Sequence, residues 1–258
     1  MGRPVATEAM VVEYVSGRLG LEAPGGLGDA EIRLLPEMPL HAITTVHGEA
    51  GLRQRLLAEI AGLPARDRRR VDLACSLMSV AHGGDRRQRE PYANHPLRVT
   101  IRILSHYRVS DADVACAALL HDVVEDHAGD FGGTPQAALK ALGRMFGART
   151  AGLVGAVTNP AWEPGRDAGE QYREHVAASL EGCPWARVVK ASDFTDNAVG
   201  LFHTTGPMLG RLAGKYRPLV PVLRELILRP DTPLDPDVKD KIAAQLGGAE
   251  DRFAAILR

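Results

Sequence analysis

Cysteine is scarce: Cys75, Cys116 and Cys183 stand apart, with no CxxC spacing. That argues against a disulfide framework or a zinc knuckle. Cys75 and Cys116 fall in apolar helical patterns and read as core thiols. No uninterrupted apolar run approaches the ~18 residues of a membrane span. No early basic-then-apolar stretch resembles a signal peptide. The start MGRPVA carries Ala6 where a myristoylation signal wants Ser or Thr. A cytoplasmic protein is the expectation. An excess of charge of either sign is missing too. Lys+Arg is 31 and Asp+Glu is 32, for a formal net charge of -1. That balance exerts no global pull toward DNA, RNA or an anionic membrane, so none of these is expected as a partner. P-loop, GxSxG and HExxH motifs are absent.

What is present is a long chain of ordinary hydrophobicity, 258 residues at 45% hydrophobic. It suits one large domain, or one domain with extensions. Residues 1–50 are uneven and read as an N-terminal extension. Glu8–Leu19 suits a short helix, PGGLGD at 24–29 a turn, and HAITTVHG at 41–48 a weak strand. From residue 51 to 258 helix follows helix, and no internal repeat appears. Leu97, Ile101 and Leu104 recur at helical spacing. Ser110 is a plausible N-cap for a helix reaching Asp126, and Thr134 caps the next, with Pro135 at its first position. Further helices fit 149–157, 168–181, 185–201, 208–229 and 236–257. The expected fold is all-α, a helical bundle. The arginines near 67–70 read as a solvated face.

The stretch ALLHDVVEDH, residues 118–127, sets His121, Asp122, Glu125 and Asp126 among aliphatic residues. On a continuous helix, at about 100° per residue, the four share one face and Leu120, Val123 and Val124 the other. A plain amphipathic helix satisfies that spacing. A solvated face usually mixes in lysine or arginine, however, and this one is acidic apart from an imidazole. A divalent cation is the natural counter-charge. Two other segments offer ligands. His95 precedes Pro96 at a helix start. Asp193, Asp196 and Asn197 interrupt an apolar helix, VVKASDFTDN. His95, His121, Asp122 and Asp193 form a two-imidazole, two-carboxylate set, which suits Mn²⁺, Fe²⁺ or Zn²⁺ better than Ca²⁺ or Mg²⁺.

Three pieces in this order, AHGGDRRQREPYANHP, AALLHDVVEDH and VVKASDFTDN, resemble the HD-domain metal-dependent phosphohydrolases. More narrowly, they resemble the alarmone hydrolases of the RelA/SpoT type, over roughly residues 65–230. The resemblance implies a (p)ppGpp 3′-pyrophosphohydrolase that yields GDP or GTP and pyrophosphate. It implies His95, His121, Asp122 and Asp193 as ligands, the metal usually being manganese. Glu125 and Asp126 match the acidic pair that handles the attacking water. Arg86 and Arg87 match the basic pair that reaches the nucleotide. Lys190 precedes the last ligand by three residues, and Asn197 matches a residue near the ribose. The expected partner is a small-molecule nucleotide; a homo-oligomer is compatible with the sequence and not dictated by it.

The chain also departs from the motifs. His127 stands where the family usually has threonine, Arg89 where glycine is common, and Ser192 where alanine precedes the last ligand. AVGL follows Lys190–Asn197 where many relatives carry a methionine-arginine-threonine run. These changes bear on the substrate more than on the metal. They keep two alternatives in view: another phosphorylated nucleotide such as ppApp or NADPH, and a non-catalytic nucleotide-binding module. Arg86 and Arg87 by themselves also fit a solvated basic turn, and Tyr92 reads as a packing residue.

Overall fold

A computed structural model describes residues 27–87, 90–198 and 207–258. The helix expected at Glu8–Leu19 lies outside them, as do Arg89 and residues 199–201. The described fold is all-α, with one minimal strand pair. The chain divides into two compact units, Met1–Gly155 and Ala156–Arg258. Among the described residues no helix is long and apolar enough to cross a membrane.

The first unit opens with α1 (Asp29–Leu34) and α2 (Leu40–Glu59). The segment 41–48 is therefore helix, not strand. Its Thr44 and Thr45 hydroxyls donate to the carbonyls of Leu40 and His41, one turn back. Leu40, Ile43, Leu52 and Leu56 are all buried, at spacings that suit a helical stripe. β-branched residues favour strands only where a sheet surface awaits them, and among the described residues no strand lies beside this segment. α2 runs through position 50 and bends at Gly48, whose φ of 58° lies in the left-handed region.

Next come α3 (Ala65–Ala81), β1 (Arg86–Arg87), β2 (Glu90–Pro91) and α4 (Asn94–Ser105). The two strands pair antiparallel, Arg86 opposite Pro91 and Arg87 opposite Glu90. Two residues per strand are too few to show alternation, so periodicity could not announce them. Glu90 anchors the pair to α4: its two oxygens take Nη1 and Nη2 of Arg98, each at 2.8 Å, and Asn94 Nδ2 donates at 3.1 Å.

The unit continues with α5 (Ala112–Leu120), α6 (Val123–His127), α7 (Pro135–Phe146) and α8 (Ala148–Val157). α2 packs on α4, α3 on α5 and α6, and α4 on α5. Every residue of α5 from Val114 to Leu120 is buried, making it the central helix of this unit. The cap of α5 is Asp111, not Ser110; its carboxylate accepts from the backbone N–H of Asp113 and Val114. A carboxylate there also opposes the helix dipole, which a serine hydroxyl does not. Thr134 caps α7 as expected, accepting from Ala137 N.

The second unit contains α9 (Ala168–Glu181), α10 (Pro184–Ala198), α11 (Pro207–Tyr216), α12 (Val220–Leu228) and α13 (Pro236–Ile256). The single helix expected over 208–229 is broken by a 3₁₀ turn at Arg217–Leu219, where Pro218 has no N–H to continue the ladder. α12 packs against α9, α10 and α13. Arg187, fully buried on α10, donates to the carbonyls of Leu180 and Glu181 and to Asp231 and Thr232, so its charge is satisfied inside the unit.

Candidate metal centre

The helix expected to run from 110 to 126 is interrupted where the chemistry lies. α5 stops at Leu120, His121 and Asp122 form a turn, and α6 begins at Val123. The carbonyl of Ala118, which a continuous helix offers to the Asp122 N–H, accepts from His121 Nδ1 at 2.8 Å. A side chain competing for a helical carbonyl is a local reason for the ladder to falter. The same bond settles the ring: Nδ1 carries the proton, and Nε2 presents its lone pair.

That nitrogen lies 3.2 Å from Asp122 Oδ2. His95 Nε2, from the first turn of α4, lies 3.7 Å from the same oxygen. The two rings meet edge to face with centroids 5.2 Å apart. Both imidazoles are buried, and Asp122 is half-buried. One donor atom each from His95, His121 and Asp122 falls within a 4.8 Å cluster. Two neutral imidazole nitrogens and a carboxylate oxygen fit a divalent transition ion, and the mixture is poor for an oxygen-seeking ion such as Ca²⁺. The cluster can therefore hold a divalent metal.

Tyr92, expected to pack, has a polar task as well. Its hydroxyl donates to Asp122 Oδ2 at 2.8 Å. Burial first, and then the neighbouring Asp122 charge, raise its pKa, so the phenol stays protonated and remains a donor. Its ring stacks on His82, centroids 4.4 Å apart and planes within 13°. The Arg87 guanidinium stands over the ring at 5.5 Å. The position of Tyr92 within REPYANHP, three residues before His95, was the available signal. Sequence spacing alone does not say that its hydroxyl reaches Asp122.

Glu125 and Asp126 are exposed on α6, in the turn that follows Asp122. Partial desolvation of its carboxyl, then repulsion from Asp122 and Glu125, raises the Asp126 pKa above that of an ordinary carboxyl. Arg86 is exposed and Arg87 half-buried on β1.

Asp193 belongs to α10 of the second unit. Its Oδ2 accepts from Lys190 Nζ at 2.9 Å, and its Oδ1 accepts from Asn197 Nδ2. The three residues expected to act separately thus form one cluster, spaced i, i+3 and i+7 on a single helix face. Burial opposes the charge on Lys190, but Asp193 more than compensates and raises its pKa, so the lysine is cationic. Its ammonium also stands 5.5 Å from the centre of the Tyr172 ring.

Residues 73–178 match the family model of the HD domain. The chain is also similar to animal proteins named guanosine-3′,5′-bis(diphosphate) 3′-pyrophosphohydrolase MESH1. It is 41% identical to the Danio rerio protein over 104 residues, which is 40% of this chain and 51% of that one. It is 30% identical to the Drosophila melanogaster protein over 110 residues, 43% of this chain and 55% of the relative. The Homo sapiens protein is 36% identical over 104 residues, 40% of this chain and 51% of the relative. The chain thus matches about half the length of these relatives. The HD-domain match contains His95, His121 and Asp122, the three residues whose donor atoms converge.

Proposed function

We propose that the protein is a Mn²⁺-dependent hydrolase that removes the 3′-pyrophosphate from (p)ppGpp, releasing GDP or GTP. The observation that carries the reading is the convergence of His95 Nε2, His121 Nε2 and Asp122 Oδ2 inside an HD-domain match. The names of the MESH1 relatives support the substrate class. Asp193 joins as the fourth ligand on its motif alone. A bound divalent ion would lower the pKa of water and offset charge on the phosphoryl group.

The remaining tasks fall to side chains. His121 is held in one tautomer by Ala118 O, so its lone pair is committed to the ligand position. Tyr92 holds Asp122 Oδ2 from outside the cluster. Glu125 and Asp126 form the acidic pair for the attacking water, one accepting its proton and the other orienting it. Arg86 and Arg87 supply cationic contacts for the phosphates, with a bidentate geometry that lysine would not reproduce. Lys190 and Asn197 act first as the holders of Asp193. This reading carries with it the cytoplasmic location expected from the sequence.

The test is a side-by-side assay of chelator-stripped protein with Mn²⁺ restored, on ppGpp, pppGpp, ppApp and NADPH. Metal-dependent pyrophosphate release from ppGpp is expected. Turnover of NADPH or ppApp alone would keep the centre and replace the substrate. Silence on all four with metal bound would refute hydrolysis of this substrate class.

A further inference from the structure

A second set of metal-binding atoms lies in the first unit, and nothing in the proposed chemistry uses it. His82, the C-cap of α3, Asp85 in the turn before β1, and His127 at the end of α6 converge. His82 Nδ1 lies 2.8 Å from Asp85 Oδ2, His127 Nε2 lies 2.7 Å from the same oxygen, and the two nitrogens are 3.0 Å apart. The three atoms thus form a nearly equilateral triangle, each within hydrogen-bond reach of the other two. Protons alone fill it poorly. If both rings donate to Asp85 Oδ2, two N–H groups are pressed side by side at 3.0 Å. If only one donates, a ring lone pair faces a carboxylate oxygen at close range.

We propose that His82, Asp85 and His127 form a second divalent transition-metal site of the zinc type. A Zn²⁺ ion accepts two imidazole nitrogens and one carboxylate oxygen at about 2.0–2.2 Å, which needs donor atoms about 3.3 Å apart. Opening the triangle by a few tenths of an ångström achieves that. Tautomers with the protons on the outward nitrogens leave all three inner atoms free to coordinate. His82 Nε2 is buried with no hydrogen-bond partner among the described residues, and the polar neighbours of this ring, Asp85 and His127, lie at Nδ1. Burial lowers the His82 pKa, which favours the neutral, metal-binding form.

The site has an open side. The His82 side chain is 0% exposed, while His127 is 18% and Asp85 38% exposed, so solvent or an anion can complete the coordination. It also adjoins the first centre. His82 stacks on Tyr92, and Tyr92 donates to Asp122. His127 is one of the positions where the chain departs from the threonine usual at that place in the motif, so this triad is a feature of this chain rather than of the motif.

The test counts ions on the whole chain. Chelator-stripped protein is titrated with Zn²⁺ by calorimetry, and metal retained after gel filtration is measured by mass spectrometry. Two ions per chain are expected in the wild type. Asp85→Asn and His127→Ala should each lose one; Asp85→Asn keeps an acceptor oxygen and sits at a part-exposed position, so it separates ligation from hydrogen bonding. His121→Ala, directed at the first centre, should also lose one, and combined with His127→Ala should lose both. Circular dichroism verifies that each variant is folded. With Co²⁺ in place of Zn²⁺, His127→Ala should lose part of the visible absorption. A wild-type count that Asp85→Asn and His127→Ala both leave unchanged overturns the proposal. A count that falls in those variants but not in His121→Ala upholds it and overturns the first centre instead.

Discussion

Replacing Tyr92 by phenylalanine removes one oxygen and tests whether the candidate metal centre is held from outside. The hydroxyl donates to Asp122 Oδ2 at 2.8 Å, the oxygen that also faces His95 and His121. A hydrogen bond to an ionised group contributes about 1.5–3 kcal/mol. Loss of a bond that orients a ligand weakens metal binding by about 10–100-fold, which is about 1.4–2.8 kcal/mol, so the two scales agree. The ring that stacks on His82 survives the substitution, and the fold should too. Mn²⁺ affinity measured by calorimetry should therefore fall by about 10–100-fold. The metal-induced rise in Tm at fixed excess Mn²⁺ should shrink by roughly 3–10 °C, at about 2–4 °C per kcal/mol for a chain of this size. Equal or tighter Mn²⁺ binding in Tyr92→Phe would refute the reasoning and return Tyr92 to a packing role.

Three further outcomes follow from other parts of the fold. Asp113 accepts from Arg70, Arg149 and Thr150, and although desolvation opposes it, the two arginines hold its pKa below the ordinary carboxyl value. A depressed folded pKa contributes stability above the unfolded value and loses it as pH falls through the folded one. Asp113→Asn should thus cost about 1–3 kcal/mol at neutral pH, and chemical denaturation should show the gap closing as pH drops below about 4; a constant gap would refute the assignment. Arg108 has a φ of 57° where α4 ends, with Val109 N bonded to Ile103 O. Arg108→Gly should stabilise the protein by about 0.5–1 kcal/mol in a thermal melt, since glycine carries no penalty there; destabilisation would mean the arginine side chain matters more than the backbone. Burial pushes the Cys75 and Cys116 thiols up to about 12, so in native protein at pH 8 a thiol reagent should label Cys183 promptly and these two only on unfolding.

Much of this was legible in residue order. Helical periodicity announced most of the helices, because a stripe of apolar residues every three or four positions is a one-dimensional property. Thr134 before Pro135 announced a cap for the same reason: the hydroxyl, the fixed φ and the freed N–H are all local. Where the reading failed, something distant or very short decided. Residues 41–48 look like a strand by composition, but Ile43 is buried with Leu40, Leu52 and Leu56 on one helix, which packs on α4. The β1–β2 pair is too brief for periodicity, and its anchor is an ion pair between Glu90 and Arg98, a turn into the next helix.

The sequence by itself determined the chemical inventory: which imidazoles and carboxylates are available, and that they cluster in three motifs. Tertiary structure decided which atoms meet. His95 and His121 are 26 positions apart in the sequence, and the packing of α4 on α5 brings both Nε2 atoms to Asp122 Oδ2. Packing also gave Tyr92 its acceptor and set His127 against His82 and Asp85. The reason is one of range. Helical propensity and capping act across a few residues of backbone, whereas a coordination sphere is a property of about three ångströms of space, which the chain fills from places that a linear reading cannot bring together.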